Sequence, residues 1–459
     1  MPETLGERVK MARRALGLTQ AELAKPDLTK GFISLLEHDR SRPSVSTLER
    51  LAQRLKQPVS YFLGSAEADV SKKVLHVLVS RGRSELARQR YDEAFAAFQE
   101  MRQFAASRDD VAMEMHAILG IGEALLGLRR LDEARTHLDD ALGRSQEAKT
   151  GLIECRALHG LATVEHRSGN FPRAASLYRA ALAVVPTLDA AEPGLHGEIL
   201  LYLGTVLHRM GRLEEASEAL TQGQRIFEDA GLPERVGEAL ADNGLVSYLS
   251  GDYDGALLRL ERARVLLEQY EDLRTLSWVR NNLGMVLVEM GRPREALAHL
   301  TVSLAIKQRL NDAVGECHTF TELARCHFAC GEMGPAREYA ERAITRSRDG
   351  GAPDEEARAQ IVLGATALAE GNARKAQRYL ALGAAHCERA SMLAELVTSF
   401  LGLARTATLL GRHKESTMYH GKALAALRGM GPHDAAAALR HADLMGHWAD
   451  PAEVPSPSS

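Results

Sequence analysis

The strongest constraint on this chain is a period. When Gln89, Arg129, Gly169, Gly211, Gly251, Gly291, Gly331, Gly371 and Gly411 are aligned, successive markers lie 40 residues apart, with a single step of 42. Five residues after each marker stands Ala94, Ala134, Ala174, Ala216, Ala256, Ala296, Ala336, Ala376 and, as the exception, Ser416. Seven residues before each marker stands another small residue: Gly82, Gly122, Ala162, Gly204, Gly244, Gly284, Ala324, Gly364 and Ala404. Such a period is room for a helix, a tight turn and a second helix, and a unit of that size buries its apolar face only by stacking on its neighbours. Small residues at two fixed registers let paired helices approach closely. Phe98, Leu138, Tyr178, Leu220, Leu260, Leu300 and Leu380, four positions beyond the alanines, fill the space beside them. Composition agrees with an all-α chain, since hydrophobic residues reach 45% while aromatics supply only 5%.

This pattern resembles the tetratricopeptide repeat in a longer form. The resemblance implies a right-handed α-solenoid of about nine tetratricopeptide-like repeats over residues 66–430, with a concave groove. A capping helix is expected over Pro432–Trp448, and the Pro- and Ser-rich end, Asp450–Ser459, is expected to be disordered, so that 431–459 forms a terminal segment.

Residues 1–65 follow a different pattern. They carry 11 Lys and Arg against 7 Asp and Glu, a net of +4, whereas the remainder of the chain carries −8. A basic portion of this kind is the one to examine for nucleic-acid binding. Leu5, Val9, Ala12 and Leu16 share one helical face, Thr19 to Glu22 forms a capping box, Thr29 caps a third helix ending near His38, and Ser46 with Glu49 predicts a fourth. A short fifth helix fits Val59–Leu63. The segments Leu18–Ala24, Phe32–Glu37, Arg42–Ser44 and Leu48–Ala52 together resemble the phage-repressor-like (Xre or Cro/C1-type) helix-turn-helix family. The resemblance implies a five-helix DNA-binding domain whose third helix enters the major groove. Lys30, Gly31 and Ser34 would then face base edges, beside the cap Thr29. Thr19 and Gln20 would offer polar groups and backbone N–H to phosphate, and Arg40 and Arg42 further phosphate contacts. One departure is visible: Pro26-Asp27-Leu28 replaces the family's usual Leu-Gly-Val type of turn and is one residue shorter.

Helical spacing also selects the residues that line the groove. In the first helix of each unit, positions 13, 10, 6 and 3 before the marker form one stripe, joined in tetratricopeptide proteins by the ninth. The stripe draws in Tyr202, Asp242, Trp278, Asn281, Asn282, Met285, Glu322, Arg325 and Arg358. The amides suit a peptide backbone, Trp278 an apolar wall, and Arg325 with Arg358 an acidic group or C-terminal carboxylate.

No catalytic motif or phosphate loop is present, so neither an enzymatic activity nor a cofactor is expected. Cys317, His318, Cys326, His327 and Cys330 are close in sequence, but Cys317 falls half a turn away from Cys326 and Cys330, so no metal site is expected. The five cysteines are odd in number and scattered, the N-terminus is too charged for a signal peptide, and no apolar run is long enough to span a membrane, which predicts a cytoplasmic chain without a membrane partner. The domain order resembles the RRNPP group of peptide-responsive regulators. That resemblance implies a homodimer on double-stranded DNA, controlled by a peptide or protein ligand in the groove. The alternatives are a regulator whose repeats dock a protein partner and an adaptor that does not bind DNA.

Overall fold

The computed structural model describes residues 4–41, 43, 45–58, 61–62, 68–107, 110–187, 193–431, 435–436, 438–440 and 442. The chain forms two compact units, Met1–Glu192 and Pro193–Ser459. The division falls inside the repeats.

Among its described residues the first unit opens with the helices α1 (Leu5–Ala15), α2 (Gln20–Ala24), α3 (Lys30–Glu37) and α4 (Val45–Arg54). Thr4 with Glu7 and Thr19 with Glu22 form capping boxes, and the Thr29 hydroxyl accepts from the Phe32 N–H at 3.1 Å. These caps occupy backbone donors that helix starts leave unpaired. The spacing places the start of this fourth helix at Ser46, and α4 begins one residue earlier, at Val45. Val9, Leu23, Ile33, Leu36, Leu51 and Phe62 make the small core. Of the expected fifth helix, Tyr61 and Phe62 are described and helical; Val59, Ser60 and Leu63 lie outside the described residues.

Three helix pairs follow in this unit: α5 (Ala68–Ala87) with α6 (Tyr91–Ala106), α7 (Val111–Gly127) with α8 (Leu131–Ala148), and α9 (Gly151–Arg167) with α10 (Phe171–Val184). Among its described residues the second unit holds six more pairs: α11 (Pro193–Arg209) and α12 (Leu213–Asp229), α13 (Pro233–Leu249) and α14 (Tyr253–Gln269), α15 (Leu273–Glu289) and α16 (Pro293–Arg309), α17 (Ala313–Ala329) and α18 (Met333–Gly350), α19 (Pro353–Ala369) and α20 (Ala373–Ala390), α21 (Leu393–Leu409) and α22 (His413–Arg428).

The period has a backbone cause. Every marker, from Gln89 to Gly411, has a positive φ, and it closes the first helix of its unit. At Gly251 the N–H bonds the Tyr248 carbonyl at 3.0 Å while the Asp252 N–H bonds that of Ser247 at 2.9 Å, satisfying carbonyls that the helix end would leave bare. Only glycine adopts this conformation freely, so Gln89 and Arg129 each carry a strain of about 1 kcal/mol. The small registers have a steric cause. A Cβ added at Gly244 would lie 2.7 Å from Leu260 Cγ, and the equivalent glycines of other units face Phe98, Leu138, Leu220, Leu300 and Leu380 in the same way. The alanines five beyond the markers are fully buried from Ala94 to Ala376. No described helix is long and apolar enough to cross a membrane.

Candidate DNA-reading and ligand-binding sites

The start of α3 is open. Lys30 and Gly31 are exposed and Ser34 is half-buried, one helical turn on, so these three share a face that the core leaves free. Behind that face, Glu37 is clamped: Arg13 Nε donates to Oε1 at 2.5 Å and Nη2 to Oε2 at 3.0 Å, and the Gln20 amide donates to Oε2 at 2.8 Å. Burial pushes the Glu37 carboxyl up, but the bonds from Arg13 and Gln20 outweigh it and hold the group below its usual range. The Gln20 side chain thus braces α2 against α3, where the sequence had given it to phosphate. The Thr19 N–H, likewise expected to meet phosphate, is taken by Glu22 Oε2 at 2.7 Å. Arg40 is exposed, and Arg42 lies outside the described residues.

The unusual turn between α2 and α3 is held from outside. Asp27 accepts from both Arg50 and Arg54 of α4, and Arg54 Nη1 also bonds the Leu23 carbonyl at 3.0 Å. Sequence reasoning did not find this clamp, because Asp27 lies 23 and 27 residues from Arg50 and Arg54.

In the second unit the predicted stripe divides between two adjoining cavities. Tyr202, Asp242 and Trp278 line one of about 690 Å³, together with Arg274 and Lys307. Met285, Glu322, Arg325 and Arg358 line another of about 310 Å³, with Tyr248 and Ile361. His318 belongs to both. Asn281 and Asn282 line neither and are corrected here: Asn281 is fully buried and Asn282 only 4% exposed. The reason is visible in the repeats. At the Asn281 register other units place Leu119, His159, Leu201, Ala241, Thr321, Ile361 and Leu401, most of them apolar, so a side chain there packs between helices even where, as at Leu201, Thr321 and Ile361, it also reaches a cavity wall.

Asn281 is one of three polar residues set into that packing. Lys307 Nζ donates to Thr319 Oγ1 at 2.8 Å and to Asn281 Oδ1 at 3.4 Å, and the Thr319 hydroxyl bonds Asn281 Oδ1 at 2.9 Å. Lys307 is 4% exposed, and burial lowers its ammonium to about 8 despite the pull of Asp312, Glu355 and Glu322. The stripe could not reveal Lys307, which sits on the second helix of its unit. A signal did exist, because the same register holds Ala105, Ser145, Phe227, Leu267, Ser347 and Cys387 elsewhere.

The arginines expected to receive an acidic group already hold carboxylates. Arg325 donates to Glu322 at 2.8 Å and to Glu289 at 3.2 Å, and Arg358 bonds Glu355 and, at 2.8 Å, Glu395. Burial works against both guanidinium charges, yet the paired carboxylates raise their proton affinity above the ordinary arginine value. By contrast, Lys307 and Arg274 in the larger cavity have no carboxylate at ion-pair distance among the described residues. Asp242, which receives a 2.9 Å bond from Thr205, is raised by burial to about 6.

A segment far along the chain reaches the smaller cavity. Ala438 lines it, Ala442 is fully buried, and Arg440 Nε bonds the Tyr253 hydroxyl at 3.2 Å. These belong to the expected capping helix; residues 432–434, 437, 441 and 443–459 lie outside the described residues. Among the cysteines, Cys317 and Cys326 donate to the carbonyls of Ala313 and Pro293, and the described residues hold no group of three or more potential ligands placed for a metal.

The helix-turn-helix family matches residues 9–62, and tetratricopeptide-repeat families match 114–186 with 235–309 and 159–231. Over 62 residues the chain is 42% identical to the immunity repressor protein of Bacillus phage phi105, a match covering 13% of this chain and 43% of that relative, less than half its length. Among solved structures, the apo form of RapI superposes with a TM-score of 0.64 at 13% identity, covering 77% of this chain and 98% of RapI. The apo quorum sensor NprR from B. thuringiensis gives 0.61 at 14% identity, over 78% and 99%. A Rap protein complexed with Competence and Sporulation Factor gives 0.57 at 16%, over 78% and 98%. The chain thus has an N-terminal helix-turn-helix domain followed by tetratricopeptide repeats, and it shares the fold of those three structures.

Proposed function

We propose that this chain, a helix-turn-helix domain joined to tetratricopeptide repeats, is a cytoplasmic, dimeric transcription regulator whose affinity for double-stranded DNA is set by a peptide in the repeat groove. The observation that carries the reading is the pairing, in one chain, of an α3 whose first turn is free to enter a major groove with a cavity of about 690 Å³ walled by Trp278 and Tyr202. A cavity of that size admits a few residues of an extended chain. Within it the acidic end of the ligand goes to Lys307, with Arg274 nearby, and not to Arg325 or Arg358, whose charges are spent on carboxylates. The phage repressor likeness at the N-terminus and the quorum-sensor fold of the repeats support the same reading.

The test measures affinity for a selected operator, with and without host extract or synthetic candidate peptides, for wild type and Lys307→Met. The wild type should change its affinity at least tenfold and the variant should bind DNA normally but not respond. An unchanged response in the variant moves the acid-binding role away from Lys307. Absence of salt-sensitive, sequence-selective DNA retention in the wild type overturns the regulator reading itself and leaves the adaptor.

A further inference from the structure

Helix α3 has eight residues and two unlike sides. Ile33, Leu36 and Glu37 are buried on the side of the small core, and Phe32 packs partly against it. At about 100° per residue, Gly31 and Leu35 fall opposite, four positions apart, with Ser34 and the exposed His38 beside them. Gly31 is exposed, and Leu35 is the exposed apolar side chain of this helix, at 48%. A Cβ added at Gly31 would meet nothing closer than Thr29 Oγ1, at 3.9 Å, so the backbone one turn before Leu35 is bare.

A leucine near the centre of that face narrows what the helix can read. Lys30 and Ser34 suit polar base edges, whereas Leu35 has no polar atom to offer. Base edges in a major groove present hydrogen-bonding groups, and the apolar exception is a methyl group on C5 of a pyrimidine, which thymine carries and 5-methylcytosine shares. A leucine pressed on polar edges alone would strip them of water without replacing the lost bonds. We propose that Leu35 is a specificity-determining residue that packs on the C5-methyl group of a pyrimidine, and that the bare backbone at Gly31 lets α3 come close enough for the contact. The inference rests on the reading that α3 enters a major groove. The 11 Lys and Arg against 7 Asp and Glu of residues 1–65 supply the complementary attraction to phosphate.

The experiment uses the full chain and an operator selected from random duplex. Each thymine of that operator is replaced in turn by deoxyuridine, which lacks only the methyl, and each cytosine by 5-methylcytosine, which gains it. At the position Leu35 touches, wild-type affinity should fall about fourfold when a thymine methyl is removed, or rise as much when a cytosine is methylated, the worth of one buried methyl-sized group. The first result names thymine as the base that is read, the second 5-methylcytosine. Leu35→Ala changes an exposed side chain and spares the core; it should bind the methyl-bearing duplex about fourfold more weakly than wild type and show no dependence on that methyl. Absence of methyl dependence throughout the operator, or equal dependence in wild type and Leu35→Ala, overturns the contact and leaves the regulator reading standing. Failure of the wild type to select any sequence overturns both.

Discussion

Arg13 and Glu37 form a two-pronged ion pair, at 2.5 and 3.0 Å, that fastens α1 to the end of α3, with side chains 11% and 1% exposed. Glu37→Ala would leave a buried guanidinium without its carboxylate, a loss of about 3–5 kcal/mol for pairs of this kind. The same pair gives a pH dependence. The Glu37 carboxyl is held below its unfolded value, so its contribution is complete above about pH 4.5 and is lost as the pH falls through the lower, folded value. Thermal melts of the full chain, followed by a probe in residues 1–65, should show this acid-side loss in wild type and not in Glu37→Ala.

On the proposed reading, which sets the exposed Lys30 at the first turn of α3 against base edges, Lys30→Ala should relax sequence preference at a cost of about 1–3 kcal/mol on the cognate site. Arg40→Ala should weaken specific and random duplex alike. Competition binding at two salt concentrations separates these outcomes, and equal losses on both duplexes for Lys30→Ala would remove the base-reading role.

Lys307→Met should stabilise the second unit. The folded ammonium titrates near 8 and the unfolded one near about 10.4, so below pH 8 both states are protonated and the cost of burying the charge is present in full. Between those values the unfolded chain holds the extra proton, so wild-type stability rises with pH, by roughly 3 kcal/mol in all. The methionine variant should lack this rise and melt higher at pH 7, because Thr319 still donates to Asn281 and no buried acceptor is orphaned. A wild-type profile that is flat from pH 8 to 10.5 contradicts the assignment.

Gly244→Ala should cost about 1–3 kcal/mol by overpacking, because the new methyl would stand 2.7 Å from Leu260 Cγ. Adding Leu260→Ala should cost less in that background than alone. A double-mutant cycle in urea measures the coupling, and strict additivity would show that the two residues do not compete for one space.

The helix pairs and their first turns were legible in the sequence because one backbone conformation, copied at each marker, selects glycine in seven of nine units. The turns between units were not. Lys149, Glu271, Asn311 and Ser391 adopt the same positive φ as Gly231 and Gly351 there, so no single residue type marks the position. The groove stripe was legible at Tyr202 and Asp242, which line a cavity, and misled at Asn281, whose amide is fully buried and held by Thr319 and Lys307. Lys307 and the grip of Arg50 and Arg54 on Asp27 depend on contacts between helices, which spacing along one helix does not encode.

That grip changes what the turn has to do. In most compact two-helix motifs the connecting residues themselves set the angle of the second helix, and their number is fixed by that duty. Here a carboxylate in the connection is anchored by two guanidinium groups on a third helix, so orientation is imposed by a tripod and the connection serves as a tether. A residue removed from or added to the tether then leaves the bearing of α3 to that anchor rather than to the length of the connection.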